Sequence, residues 1–259
     1  VLPMGIFFHE DPDLTPGMRK RGFNRYRQVL EREWKRFFLV NLLTLGSLIP
    51  FGLSLGYAVL SRSVLVLIPA CILGGLIAGP GMAGMYDAIL RALRDNLDDW
   101  WYSYKRAMKQ NWKAALLPGV IGCLFVGFLV FACALLWWAD APISAGSVAL
   151  LAVGTLIVIM VFTVWWPQVV LFDQKPGIQL KNCILFCLRY FGKLAKSAGI
   201  QLLWWIVMVL FMPWTAFAVP FLGVWYILYL CVFLIYDQLD GAFAIEEQIA
   251  QAFPEQVPV

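Results

Sequence analysis

The sequence predicts an all-α, polytopic membrane protein with six transmembrane helices, on three observations. First, 61% of the 259 residues are hydrophobic and 14% are charged, with mean hydropathy +0.76. A soluble domain averages about 45–50% apolar and about 25% charged residues. So little polar surface cannot cover a water-soluble globule, which excludes an ordinary cytosolic enzyme, a disordered tail and a disulfide-stapled secreted module. Second, five apolar runs reach the ~20 residues needed to cross a hydrocarbon core ~30 Å thick. Third, the 20 Lys and Arg residues collect between alternate runs.

The runs are Phe37–Leu60, Val64–Ala83, Ala114–Trp138, Ser147–Phe172 and Ala198–Tyr236. The last is about twice the length of one crossing. Pro213-Trp214-Thr215 marks a turn inside it, so it divides into two short spans and six result. Eight basic residues, from Arg19 to Arg36, precede the first span. Arg91, Arg94, Lys105, Arg106, Lys109 and Lys113 lie between the second and third, and Lys175, Lys181, Arg189, Lys193 and Lys196 follow the fourth. Arg62 alone falls on the other side. Basic loops stay in the cytoplasm, so both termini are expected there. The acidic tail, 238–259, does not oppose this, because acids carry little topological weight. The whole chain, 1–259, reads as one integral membrane domain. Its first 36 residues lack the apolar core of a cleavable signal, so the first span is expected to direct insertion. His9 stands where myristoylation after Met4-Gly5 requires Ser or Thr.

Each basic stretch reads as an amphipathic helix lying in the headgroup plane. The apolar stripes are Phe23, Tyr26, Leu30, Trp34 and Phe37; Leu97, Trp101, Tyr104, Met108 and Trp112; and Leu180, Ile184, Leu188 and Phe191. Off the stripes lie Arg25, Arg27, Arg32 and Lys35; then Lys105, Arg106, Lys109 and Lys113; then Lys181, Arg189 and Lys193. All of these except Arg27 are the expected docking groups for anionic lipid headgroups or for a membrane-protein partner. Tyr86-Asp87, Phe172-Asp173 and Tyr236-Asp237 each close an inward-running span. The pattern predicts three parallel hairpin repeats, at about 22–87, 97–173 and 177–237, each preceded by a basic interfacial helix. An aromatic belt alone would also place aromatics at these rims.

Two features carry candidate substrate-binding residues. Gly79-Pro80-Gly81 interrupts an apolar stretch, and broken helices in transporters often border a binding site. The same residues also suit a kink that ends the span, with small side chains for close packing. Trp165-Trp166 and Trp204-Trp205 suit a sugar face or the membrane interface. Asn41 and Gln201 are the strongest polar groups within the spans, which otherwise hold no ionisable residue at mid-depth. A water-filled cavity lined by these groups would favour transport, and a packed interior would favour a scaffold. Cys183 and Cys187 share a helical face, but His9 is the one histidine, so no metal centre or cofactor is expected. No Walker loop or Ser/His/Asp set appears, so no catalytic residue is assigned. Nucleic acid is not an expected partner at a membrane face.

Several stretches resemble the YesL-like family of bacterial integral membrane proteins. They are Met4-Gly5-Ile6-Phe7, Asn41-Leu42-Leu43 with Ile49-Pro50, and Gly79-Pro80-Gly81-Met82-Ala83-Gly84-Met85-Tyr86 followed by Arg91 and Arg94. Trp101-Tyr102-Ser103-Tyr104 through Lys109-Gln110-Asn111-Trp112-Lys113 completes the likeness, which covers about 37–117. The resemblance implies a bacterial cell-membrane location and a link to glycan uptake, since members are often encoded beside carbohydrate ABC importers. It brings no catalytic residues. The expected function is a non-enzymatic accessory or scaffold protein for such an importer, with its permease subunits as partners. The alternative is a small permease or channel for sugars or lipids.

Overall fold

The computed structural model describes residues 22–96, 99–138 and 144–252. Its helices are α1 (Gly22–Leu60), α2 (Val64–Leu93), α3 (Trp100–Trp138), α4 (Ala145–Leu171), α5 (Pro176–Arg189), α6 (Phe191–Leu210), α7 (Trp214–Leu222), α8 (Trp225–Phe243) and α9 (Ile245–Ala252). Met4-Gly5, His9, Leu97 and the end of the acidic tail, Glu255 included, lie outside the described residues. Among the described residues there is no strand. Helices α1, α2, α3, α4, α6 and α8 are each long and apolar enough to cross a membrane. The chain is a multi-pass membrane protein.

The two leading basic stretches are not separate helices, contrary to the sequence expectation. Each runs without interruption into the span after it, giving α1 and α3 39 residues apiece. That is roughly 58 Å at 1.5 Å per residue, about twice the hydrocarbon thickness. The reason is local: neither junction holds a Gly or Pro that would end a helix. The third basic stretch does form its own helix, α5, opened by Pro176 at its first turn and closed at Tyr190. The expected turn at Pro213 is present between α6 and α7. A second break, at Gly223-Val224, separates α7 from α8.

Helix α2 is the centre of the bundle and packs chiefly against α1 and α3. Its contact with α3 is a small-residue seam. Gly75 and Gly79 face Ala115, Gly119 and the Val120 backbone, and Cys71 faces Gly127. Any side chain on Gly79 would come within 2.6 Å of the Ala115 carbonyl oxygen. Between lipid-immersed helices such close approach replaces the hydrophobic effect with dispersion contact.

The larger core gathers around Phe37, Ile89, Trp165, Tyr229 and Leu239 toward the basic end. A smaller one, around Phe51, Leu67, Cys71 and Phe131, sits farther along α1, α2 and α3. The threefold repeat is not confirmed. α3 packs far more on α2, from the preceding unit, than on its own partner α4. The three closing acids are also unlike: Asp87 is buried within α2, Asp173 is exposed beyond the end of α4, and Asp237 is exposed within α8.

Candidate functional site

Asn41 sits near the middle of α1, fully buried, where α7 stops and α8 starts. Its amide nitrogen donates to the carbonyl oxygens of Val219 (3.3 Å) and Pro220 (2.9 Å). Its amide oxygen accepts the backbone N–H groups of Val224 (3.2 Å) and Trp225 (3.3 Å). One carboxamide therefore serves the carbonyls that end one helix and the N–H groups that begin the next; the Val219 carbonyl also accepts the Gly223 N–H at 2.9 Å, so Asn41 is a second partner there. The Trp225 indole adds a bond to the Phe221 carbonyl at 2.6 Å. Gly223 is required between them, because a Cβ there would collide with the Val219 carbonyl. The chain is thus broken where broken helices often bind solutes, yet Asn41 occupies the exposed helix ends from within the protein.

The other candidate binding residues are packed as well. Helix α2 continues through Gly79-Pro80-Gly81 without ending. Gly79 is filled by the α3 backbone, and Gly81 by the Ser47 hydroxyl. Gly84 gives room to the Tyr104 ring, beside which Thr44 donates to the Gly81 carbonyl at 3.3 Å. Trp165 and Trp166 are buried. Trp166 stacks on Tyr86 with ring centroids 5.7 Å apart, and the Trp165 indole N–H donates to the Gln179 side-chain oxygen at 3.1 Å. Trp204 packs beside Tyr226, and Trp205 is half-buried against the main core. Gln201 is half-buried on α6. The structure does not bring the two tryptophan pairs into direct ring contact.

A polar seam between α4 and α5 carries two residues that the sequence reading missed. Gln168 is fully buried and donates to the Cys183 sulfur at 3.1 Å. Gln179 is equally buried beneath Trp165. Each retains one buried amide atom without a partner, Oε1 on Gln168 and Nε2 on Gln179. Gln168 stood in the sequence as a polar residue inside an apolar run, which was a usable signal. Burial pushes the Cys183 and Cys187 thiols up, to about 12 and about 11.

The basic residues divide into three sets. On α1, Arg25 and Arg32 are turned onto the end of α2, whereas Arg27 is exposed and pairs with Glu31 on its own helix. Arg25 is buried, donates to the Leu93 carbonyl at 2.9 Å and pairs with Asp95 at 2.6 Å. Arg32 donates to the Ala92 carbonyl at 2.9 Å, and it pairs with Asp95 and Glu33 at 2.5 and 2.8 Å. Asp95 was also missed. It follows the C-cap of α2 at φ 62, a left-handed conformation that Asp tolerates better than most residues. Burial alone would raise its carboxyl, but the hydrogen bonds from Arg25 and Arg32 outweigh this and hold it below the usual carboxylate range. Asp87 pairs with Arg91 one turn on, at 2.7 Å.

The second set lies on α3. Lys105, Lys109 and Lys113 are exposed there beside Trp101, Tyr102 and Trp112, with Arg106 over the Tyr102 ring. The third is Lys181, Arg189 and Lys193 on α5 and the start of α6, all exposed. Lys35, on α1, is exposed and lies over Trp34. Among the described residues no three His, Cys, Asp or Glu side chains come together as a metal site. In comparisons with known proteins, no family model, no curated protein and no solved structure matches the chain.

Proposed function

We propose that the chain is a non-enzymatic accessory or scaffold protein of the bacterial cell membrane, with its basic end and both termini in the cytoplasm. It serves a carbohydrate ABC importer and docks on that importer's permease subunits. The observation that carries this reading is the close packing at the residues that could have lined a pathway. Asn41 has four backbone partners, and Gly79 and Gly81 are filled by α3 and by Ser47. Function is then expected on the surface. The face of α3 that carries Trp101, Tyr102, Lys105, Lys109 and Trp112 supplies large exposed aromatic anchors, the residue type enriched at protein interfaces, with lysines beside them. Its coaxial continuity with the span carries that face beyond the hydrocarbon core. The link to glycan uptake comes from the likeness to the YesL-like family over 37–117.

Mild-detergent affinity purification from native membranes, with mass spectrometry of what accompanies the protein, tests this. Importer permease subunits are expected in stoichiometric amount, and are expected to be lost from a Lys105→Gln, Lys109→Gln, Trp112→Ala variant. Recovery of the protein alone, in detergent and again in lipid nanodiscs, would overturn the accessory role and direct attention to solute uptake.

A further inference from the structure

We infer that α5 is an in-plane membrane helix that seats its outer face in the leaflet at the basic end and takes anionic phospholipid headgroups on Lys181, Arg189 and Lys193. The inference needs only a membrane and goes beyond the importer reading. Helix α5 is tied at both ends to spans, since α4 ends at Leu171 and α6 begins at Phe191. It therefore lies along the membrane rim, where α3 instead projects past it. One face, Gln179, Cys183 and Phe186, is buried against the rest of the protein. The opposite face carries Ile178, Ile184, Leu185 and Leu188, all exposed, Leu188 at 73%.

Charge selects the occupant. From Gln174 to Tyr236 the sequence holds five basic residues and no acid. A row of bare aliphatic side chains with Lys181 among them and Arg189 and Lys193 after them matches acyl chains under anionic headgroups, with the long Lys and Arg stems reaching up to the phosphates.

The full chain in vesicles of phosphatidylcholine with phosphatidylglycerol provides the test. A fluorescent amino acid is placed at Leu188 and, in a separate preparation, at Lys105. The probe at 188 is expected to emit further to the blue, to be quenched by lipids brominated on their acyl chains, and to be shielded from aqueous iodide ~3-fold or more relative to 105. In mixed-lipid nanodiscs, a Lys181→Gln, Arg189→Gln, Lys193→Gln variant is expected to retain less phosphatidylglycerol by native mass spectrometry. A charge-keeping variant, Lys181→Arg with Arg189→Lys and Lys193→Arg, retains the wild-type amount, and free glycerol phosphate does not compete. Iodide reaching 188 as readily as 105 would overturn the seating and assign the face to a second copy or a protein partner. Equal lipid retention by the neutral and charged variants, or displacement by free glycerol phosphate, would overturn the headgroup site.

Discussion

The side-chain oxygen of Asn41 accepts the backbone N–H of Trp225 at 3.3 Å, across 184 residues of sequence. With its three companion bonds it turns an interrupted helix into a satisfied one, inside a solvent that offers no hydrogen bonds of its own. Replacing Asn41 with Leu keeps the volume and removes all four bonds. The expected loss is about 2–4 kcal/mol, by the cost of buried unsatisfied backbone groups. Asn41→Asp is expected to be comparably damaging, because a carboxylate oxygen would face the Val219 and Pro220 carbonyls. Thermal unfolding in mild detergent checks both, and a wild-type midpoint for either would show that the α7–α8 break is capped otherwise.

Asp95 joins two arginines of α1 to the end of α2, and its carboxyl is held below its ordinary range. A lowered carboxyl contributes its full stability above the unfolded value, and that contribution fades as pH falls through the folded one. The wild type is therefore expected to lose stability below about pH 4, an order-of-magnitude position set by the ordinary carboxylate value. Asp95→Asn should flatten that part of the profile. At pH 7, Asp95→Ala is expected to cost about 2–3 kcal/mol, and Asp95→Gly less, because Gly relieves the left-handed backbone. Unfolding midpoints against pH for the variants decide it.

The α2–α3 seam predicts opposite signs for two glycine substitutions. A Cβ at Gly75 would strike the α3 backbone around Gly119 and Val120, whereas one at Gly52 meets nothing within 4 Å. Gly75→Ala should destabilise by about 1–3 kcal/mol through overpacking. Gly52→Ala should stabilise by about 0.5–1 kcal/mol through helix propensity. Matching shifts for the two would mean that the seam opens without cost.

The indole of Trp165 and the amide of Gln179 form the bond that most directly holds α5 to α4. A double-mutant cycle with Trp165→Phe and Gln179→Ala is expected to give a coupling of about 1 kcal/mol. Hydrogen exchange along α5 should rise in either single variant. Strict additivity in the cycle would show that the contact adds nothing.

Much of the fold is legible in the sequence because a bilayer imposes length and polarity with little ambiguity. The six apolar helices, the turn at Pro213 and the packing role of the Gly79–Gly84 stretch all follow from residue type and spacing. The continuity of α1 and α3 was available in the unbroken helix-forming residues at Arg36-Phe37 and Lys113-Ala114. The amphipathic pattern hid it, since the same stripe suits a helix in the headgroup plane. That stripe in fact divides: Tyr26 and Tyr104 turn into the protein, while Trp34, Trp101 and Trp112 turn out. What no local pattern supplies is the identity of distant partners. Asn41 reads as a polar residue in a span, and nothing near it announces Val219 or Trp225. Asp95 reads as one more charge in a basic loop, because its left-handed backbone is set by how α2 ends.

The unbroken run from the basic end through the bilayer in α1 and α3 has a mechanical consequence. A continuous α-helix passes tilt imposed on its membrane half toward its other end, with Pro50 in α1 and Pro118 in α3 as the points where it can bend. Arg25 and Arg32 tie α1 to α2, and the glycine seam ties α2 to α3, so a tilt of any one of these helices strains its contacts with the others. Bilayer thinning or a neighbour's tilt would therefore be delivered to Trp101 and Lys105 as a displacement. Helix α5, divided from α6 at Tyr190, lies outside that line of force.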